Sequence, residues 1–222
     1  MIETFYLDRP KSANALDLAT AKQISLKIKN CTGLVIASKN SKVFCSGGDL
    51  KAYSKMKTKN EGIKVNREIR KTLDGFQKAP VIIVAAVEGI CIGGGCELAL
   101  AADRIVASSS ARFAFKQVLL SLSPGWGGAQ RLLNRVSASI AFDWLTSGRW
   151  VSAQEAFRCG LIDEITSPGT VEEKAHEFIL ERAFVTPELI LKIKEIVANP
   201  SKEEKIFESL WFSKNHQTTL KR

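Results

Sequence analysis

The sequence predicts an α/β protein, a body of repeated strand, glycine turn and helix units followed by a helical C-terminal third. Three observations lead there. The runs Gly33-Leu34-Val35-Ile36-Ala37-Ser38 and Val81-Ile82-Ile83-Val84-Ala85-Ala86-Val87 are apolar, rich in β-branched residues and too short for typical helices, as buried strands are. Glycine-rich turns recur at Gly47-Gly48, Gly93-Gly94-Gly95 and Gly125-Trp126-Gly127-Gly128, each ahead of a helix-like segment. Beyond about residue 165 the apolar spacing is helical.

The elements follow in order. Residues 2–7 read as a short strand, and Asp8-Arg9-Pro10-Lys11-Ser12 breaks it. Asp17 can cap a helix running to about Lys29. After the strand at 33–38, Val43-Phe44-Cys45-Ser46-Gly47-Gly48-Asp49-Leu50 forms strand and turn, with Asp49 placed to begin a short helix. The polar stretch 55–60 reads as loop, and Ile63, Ile69, Leu73 and Phe76 put a helix over 61–77, ended by Lys78-Ala79-Pro80. The strand at 81–87 leads through the glycine triplet to a helix at 96–101. Strands are expected at 103–107 and 112–115, and the third turn opens a helix at 129–136. Helices at 137–147 and after the capping box Ser152-Ala153-Gln154-Glu155 precede a strand at 161–165. Helices near 171–183 and 187–197 follow, and Ser201 with Glu204 is expected to cap a last one to about Leu210.

Composition narrows the function classes. The 222 residues, 45% apolar and 25% charged, can bury a substantial core, and one main domain is the prior. The start, Met1-Ile2-Glu3-Thr4, does not read as a secretory signal, and no apolar run reaches the length of about 20 residues needed to span a bilayer, so a cytoplasmic location and no membrane partner are expected. Five cysteines without a C-x-x-C pair, and only two histidines, argue for reduced thiols and against a metal site. The net charge of +9 is scattered among glutamates with no block of basic residues, a pattern that does not favour nucleic acid.

The chemistry centres on Gly93-Gly94-Gly95-Cys96-Glu97. Glycines at a helix entry leave backbone N–H groups open to a ligand, and a helix N-terminus favours developing negative charge there. Two donors aimed at a thioester oxygen that becomes an enolate would lower its barrier by several kcal/mol, on the order of losing one oxyanion donor in other enzymes. Glu97 would lie beside the reacting carbons. The alternative is purely structural: glycines for tight packing and Glu97 as a partner of the helix dipole. A phosphate-loop signature is absent, and no acidic residue sits in the context of a dinucleotide fold.

Four motifs, in one register from about Leu7 to Glu164, make the chain resemble the crotonase or enoyl-CoA hydratase/isomerase superfamily. They are Asp8-Arg9-Pro10-Lys11-Ser12-Ala13-Asn14-Ala15-Leu16, the segment Val43 to Leu50, Pro80 through the glycine triplet to Ala99, and Pro124-Gly125-Trp126-Gly127-Gly128 with Gln130-Arg131-Leu132. The resemblance implies a crotonase-like ββα spiral core over 1–165 and a helical C-terminal region over 166–222 that serves trimerisation or covers the active site. It implies an acyl-CoA substrate, no tightly bound cofactor, and a homotrimer or dimer of trimers. The N–H groups of Gly48 and Gly94 would form the oxyanion hole, with Glu97 catalytic. Lys11, Ser12, Ala13, Ser46, Asp49 and Leu50 would border the CoA, with Gly125 in the same binding set and Lys11 and Lys51 facing its phosphates. Asp49 is read as a helix cap rather than a catalytic acid, Asp103 is likewise not catalytic, and Cys96 lacks a neighbouring base that would make it a nucleophile.

One position departs from the resemblance. Hydratases of this superfamily carry a second glutamate after the strand that follows the glycine helix; here Gln117 stands there, in Phe113-Ala114-Phe115-Lys116-Gln117-Val118. Glutamine can hold water or a carbonyl but cannot titrate. Lys116, its neighbour on a strand, would point to the other face. Hydratase or isomerase-like chemistry is the leading expectation. The alternatives are an isomerase or alkylmalonyl-CoA decarboxylase using Glu97 alone, the latter also suggested by Trp126, and a non-catalytic CoA-binding homologue. The first strand region is shorter than is usual in the superfamily, and related chains generally continue past the position of Arg222.

Overall fold

The computed structural model describes residues 1–220. The chain runs β1 (Ile2–Leu7), α1 (Leu18–Lys29), β2 (Gly33–Ser38), β3 (Val43–Cys45), α2 (Leu50–Tyr53), α3 (Lys59–Phe76), β4 (Ile82–Val87), β5 (Ile90–Ile92) and α4 (Gly94–Ala101). It continues through β6 (Arg104–Ser108), β7 (Arg112–Ala114), a 3-10 turn at Lys116–Leu120, α5 (Gly128–Leu133), α6 (Ala138–Ser147), β8 (Val151–Ser152), α7 (Ala153–Arg158) and β9 (Glu164–Thr166). The helices α8 (Val171–Leu180), α9 (Pro187–Ala198), α10 (Glu203–Leu210) and α11 (Lys214–Leu220) complete it.

From β2 to β7 the strands alternate between two sheets. A parallel five-stranded sheet has the order β1-β2-β4-β6-β9, and a four-stranded sheet has the order β3-β5-β7-β8, of which only β7 and β8 pair antiparallel. Each turn of the chain therefore lays one strand in each sheet before a helix or turn, the ββα spiral that the sequence resemblance led us to expect. The larger sheet is apolar on both faces, as period-two alternation requires when both are covered. Leu34, Ile36, Ile83, Ala85 and Ile105 face the main core, while Val35, Ala37, Val84, Ala86 and Val106 meet Val171, Ala175 and Ile179 of α8.

Local chemistry sets the helix starts. Asp17 caps α1 through the N–H of Thr20 (2.8 Å), and Thr58 caps α3 through that of Glu61 (3.3 Å), each an effect of about 1 kcal/mol. Because Thr58 does this, α3 begins at Lys59 inside the stretch expected to be loop. The expected cap at Ser201 is corrected. Its N–H and hydroxyl both bind Asn199 Oδ1 (3.2 and 2.7 Å), and α10 starts after Lys202 without a side-chain cap. The strand expected at 161–165 shifts to β9, because the N–H of Leu161 turns back to the Ala156 carbonyl (2.8 Å) and both Leu161 and Ile162 are buried in the core. The short strands β5 and β8, three and two residues long, carry no periodicity to read in advance.

The C-terminal helices are anchored by one buried ion pair. Lys194 of α9 reaches through the surface to the carbonyls of Phe76 (2.9 Å) and Val81 (2.8 Å) and to Asp103 Oδ2 (2.7 Å). Asp103 also accepts from the N–H of Ile83 (2.8 Å), which gives it a structural task. Among the described residues no helix is long and apolar enough to cross a membrane.

Candidate active site

Three neighbouring strands of the smaller sheet build the site. Because β3, β5 and β7 lie side by side and parallel, their C-terminal ends deliver Gly47-Gly48, the glycine triplet and Gln117 to one place. The approach is close: a methyl group on Gly47 would lie 2.9 Å from the N of Gly94, and one on Gly95 would lie 2.2 Å from the Cys45 carbonyl oxygen. Gly93 makes the turn into α4 with φ +53°, a region costly for residues with a Cβ. Its N–H is held by the Ala114 carbonyl (2.8 Å), tying β5 to β7 at the site.

Gly94 is the first residue of α4, where an N–H has no intrahelical acceptor. Among the hydrogen bonds of the described residues, neither the Gly94 nor the Gly48 N–H has an acceptor. Both donors belong to residues that pack against aromatic rings. A methyl on Gly94 would fall 2.3 Å from the Trp126 ring, and one on Gly48 would fall 2.7 Å from the Tyr53 ring.

Glu97 lies one turn into α4 and is 2% exposed. Its Oε1 accepts from the N–H groups of Trp126 (2.7 Å) and Gly128 (2.9 Å), and its Oε2 accepts from Gln117 Nε2 (3.0 Å). The third glycine turn therefore serves the carboxylate, a role that the recurrence of such turns hinted at without specifying. Burial pushes the Glu97 carboxyl above the usual carboxylate range, against the opposing pull of those donors. Arg131 braces this turn: Nη1 binds the Trp126 carbonyl (2.7 Å) and Nη2 pairs with Asp74.

The residues expected to border CoA divide. Lys11, Ser12, Asp49 and Lys51 line a surface cavity of about 540 Å³ together with Arg9 and Lys55, two cations that sequence reading did not single out. Ala13 and Ser46 join the two walls, since the Ser46 N–H binds the Ala13 carbonyl (3.1 Å) and its hydroxyl binds the Ser12 carbonyl (3.2 Å). Leu50 begins α2 and is 55% exposed. Gly125 stands apart in the third turn, its carbonyl held by Asn66 Nδ2 (3.0 Å). Asp49 caps α2 through the N–H of Ala52 (3.0 Å) and pairs with Arg9 (2.8 Å), whose guanidinium holds the carboxyl below its ordinary range.

Lys116 is not on a strand, as the sequence suggested. It starts the 3-10 turn and its ammonium lies 5.0 Å from the centre of the Trp150 ring. Cys96 donates to the Cys91 carbonyl (3.1 Å) in the buried core, a structural contact. Tyr53 was not foreseen either; a single tyrosine in a polar segment carries no pattern.

The model of the enoyl-CoA hydratase/isomerase family matches residues 2–221. The chain belongs to that family. Similar relatives include a probable enoyl-CoA hydratase of Rhizobium meliloti, 28% identical over 95% of this chain and 86% of the relative. A carnitinyl-CoA dehydratase of Proteus mirabilis is 34% identical over 86% of this chain and 74% of its own. A crystal structure of an enoyl-CoA hydratase from Bacillus anthracis superposes with a TM-score of 0.91 at 28% identity, covering 99% of this chain and 91% of that one. This member of the enoyl-CoA hydratase/isomerase family is thus an acyl-CoA-processing enzyme of the crotonase type.

Proposed function

We propose that the Gly48 and Gly94 N–H groups bind the thioester oxygen and stabilise it as an enolate, and that Glu97 is the sole group moving protons at the acyl carbons. The observation that carries this reading is the Glu97–Gln117 contact. The partner of the buried carboxylate is an amide at 3.0 Å, so the pair holds one titrating group where two-carboxylate hydration would need two. One carboxylate suffices to take a proton from the α-carbon and return it at the γ-carbon. Isomerisation of an enoyl-CoA is therefore the reaction this site supports best. The raised proton affinity of Glu97 suits that task, because a base must also release the proton as an acid.

CoA would lie along the cavity flanked by Lys11 and Lys51, with its phosphates near those ammonium groups. It serves as part of the substrate, with no tightly bound cofactor. A homotrimer or dimer of trimers in the cytoplasm belongs to the same reading. Leu119, Leu120, Leu122, Leu133 and Phe142, exposed around the 3-10 turn, α5 and α6, support such an assembly. The test is turnover of a 3-enoyl-CoA and of crotonyl-CoA by the wild type and Glu97→Gln. Loss of the acid/base group should lower kcat on the preferred substrate by about 10²- to 10⁴-fold. Unchanged turnover in that variant would refute the assignment.

A further inference from the structure

The two backbone donors to Glu97 Oε1 are held by different means. The Gly128 N–H belongs to the same peptide group as the Gly127 carbonyl, which accepts from the Arg131 N–H (3.2 Å) in the first turn of α5, so the helix itself aims that donor. The Trp126 N–H shares a peptide group with the Gly125 carbonyl, and this group lies ahead of α5, where no helical hydrogen bond reaches it. A planar trans peptide points its carbonyl and its N–H in opposite directions, so whatever fixes one fixes the other. The partner of the Gly125 carbonyl is Asn66 Nδ2 of α3, at 3.0 Å.

The flanking geometry gives that hydrogen bond control of the peptide. Gly125 has no Cβ, so rotation about its backbone bonds meets little steric resistance. Asn66 sits directly over it: a methyl on Gly125 would fall 2.8 Å from Asn66 Oδ1 and 2.9 Å from Nδ2. With the carbonyl taken up by α3, the N–H of the same peptide faces Glu97. The next carbonyl, that of Trp126, is held by Arg131 Nη1 (2.7 Å), whose Nη2 pairs with Asp74 of α3. Helix α3 therefore fastens two successive carbonyls of the turn, one directly and one through Arg131. At the carboxylate, Oε1 accepts two N–H groups and Oε2 accepts only from Gln117, so Oε2 is the oxygen with a lone pair left for a proton.

We propose that Asn66 is a positioning residue for the reaction: by holding the Gly125 carbonyl it keeps the Trp126 N–H on Glu97 Oε1, pins that oxygen, and leaves Oε2 to carry the proton. This rests on the reading of Glu97 as the group that moves protons. Asn66 acts through the peptide and does not bond Glu97 itself. A donor to a carboxylate favours its ionised form, and the donor is strengthened when the carbonyl of its own peptide is engaged. Without Asn66 the peptide is free to turn its N–H away, and Glu97 loses one of three donors. The charged and titratable groups that act on Glu97 are Arg131 from α5 and Tyr53 from the end of α2. Helix α3 adds Asp74, which is paired with Arg131, and the 3-10 turn adds the uncharged Gln117. An uncharged replacement of Asn66 alters none of these charges, so its effect on Glu97 is that of the hydrogen bond.

The experiment is a carbon NMR titration of the Glu97 carboxyl, assigned by its absence from Glu97→Gln, in the wild type, Asn66→Leu and Asn66→Ala, together with the pH dependence of kcat/KM on a 3-enoyl-CoA. Asn66→Leu keeps the size of the amide without its donor and should raise the Glu97 midpoint by about one pH unit, the scale of one donor lost from a carboxylate. Asn66→Ala leaves room for a water to bond the Gly125 carbonyl and should raise it by less. The acid limb of kcat/KM should move up by the same amount in each variant, with KM within about twofold of the wild type, a pH signature that a merely structural loss would not give. Leucine is a better helix former than asparagine, so Asn66→Leu is expected to fold; if it does not, Asn66→Ala carries the test. A midpoint within about 0.3 pH units of the wild type in the folded variants would overturn the proposal. A midpoint that moves while the acid limb stays in place would keep Asn66 as the residue that holds Glu97 and overturn instead the reading of Glu97 as the proton-moving group.

Discussion

Replacing Gln117 by Glu turns a hydrogen bond into a carboxyl pair, and the consequence can be worked from the geometry. In the wild type Gln117 Nε2 donates to Glu97 Oε2 at 3.0 Å, and Glu97 is 2% exposed. A glutamate in the same rotamer would put a second oxygen at that distance. Two unit charges about 4 Å apart repel by about 4 kcal/mol at an effective dielectric constant near 20. The pair therefore keeps one shared proton well above the ordinary carboxylate range, and that proton belongs to the pair. A carboxyl whose folded-state pKa is raised leaves stability intact below its unfolded pKa and removes it as pH rises toward the folded value. Wild-type Glu97 is itself raised, so the informative quantity is the difference between variant and wild type. That difference should be small at pH 5 and should grow by roughly 2–4 kcal/mol by pH 8, measured by urea unfolding. The shared proton also supplies the second acid/base group, so hydration of crotonyl-CoA, followed by loss of its conjugated thioester absorbance, should rise. A stability difference constant to within about 0.5 kcal/mol across that range would refute the contact as the site's organising interaction.

Two further outcomes test the anchor and the cavity. Lys194→Ala would leave the carbonyls of Phe76 and Val81 and the Asp103 carboxylate without their buried partner, and should destabilise the protein by about 3–5 kcal/mol in chemical denaturation. The double variant Lys11→Glu, Lys51→Glu should weaken CoA-ester binding about tenfold at low ionic strength, with the gap narrowing as salt is added, because both charges are screened by solvent. Equal affinity in the variant and the wild type would remove the cavity from the binding site.

The amino-acid sequence by itself determined most of the longer elements and the family resemblance. Asp17, Asp49 and the Ser137 and Ser152 caps lie where short-range hydrogen bonding puts them. The buried strands β2 and β4 were legible as short apolar runs, and the glycine turns from composition. What tertiary structure decided is which of these meet. Residues 48, 94 and 117 are brought together only by the lateral order of β3, β5 and β7, whose three-residue strands carry no register signal. The Trp126 and Gly128 N–H groups hold Glu97 across about thirty residues of chain, and backbone donors leave no trace in side-chain identity. The Tyr53 hydroxyl shows the same limit most sharply. A residue type announces its donor, but whether that donor is buried without a partner depends on every element packed around it.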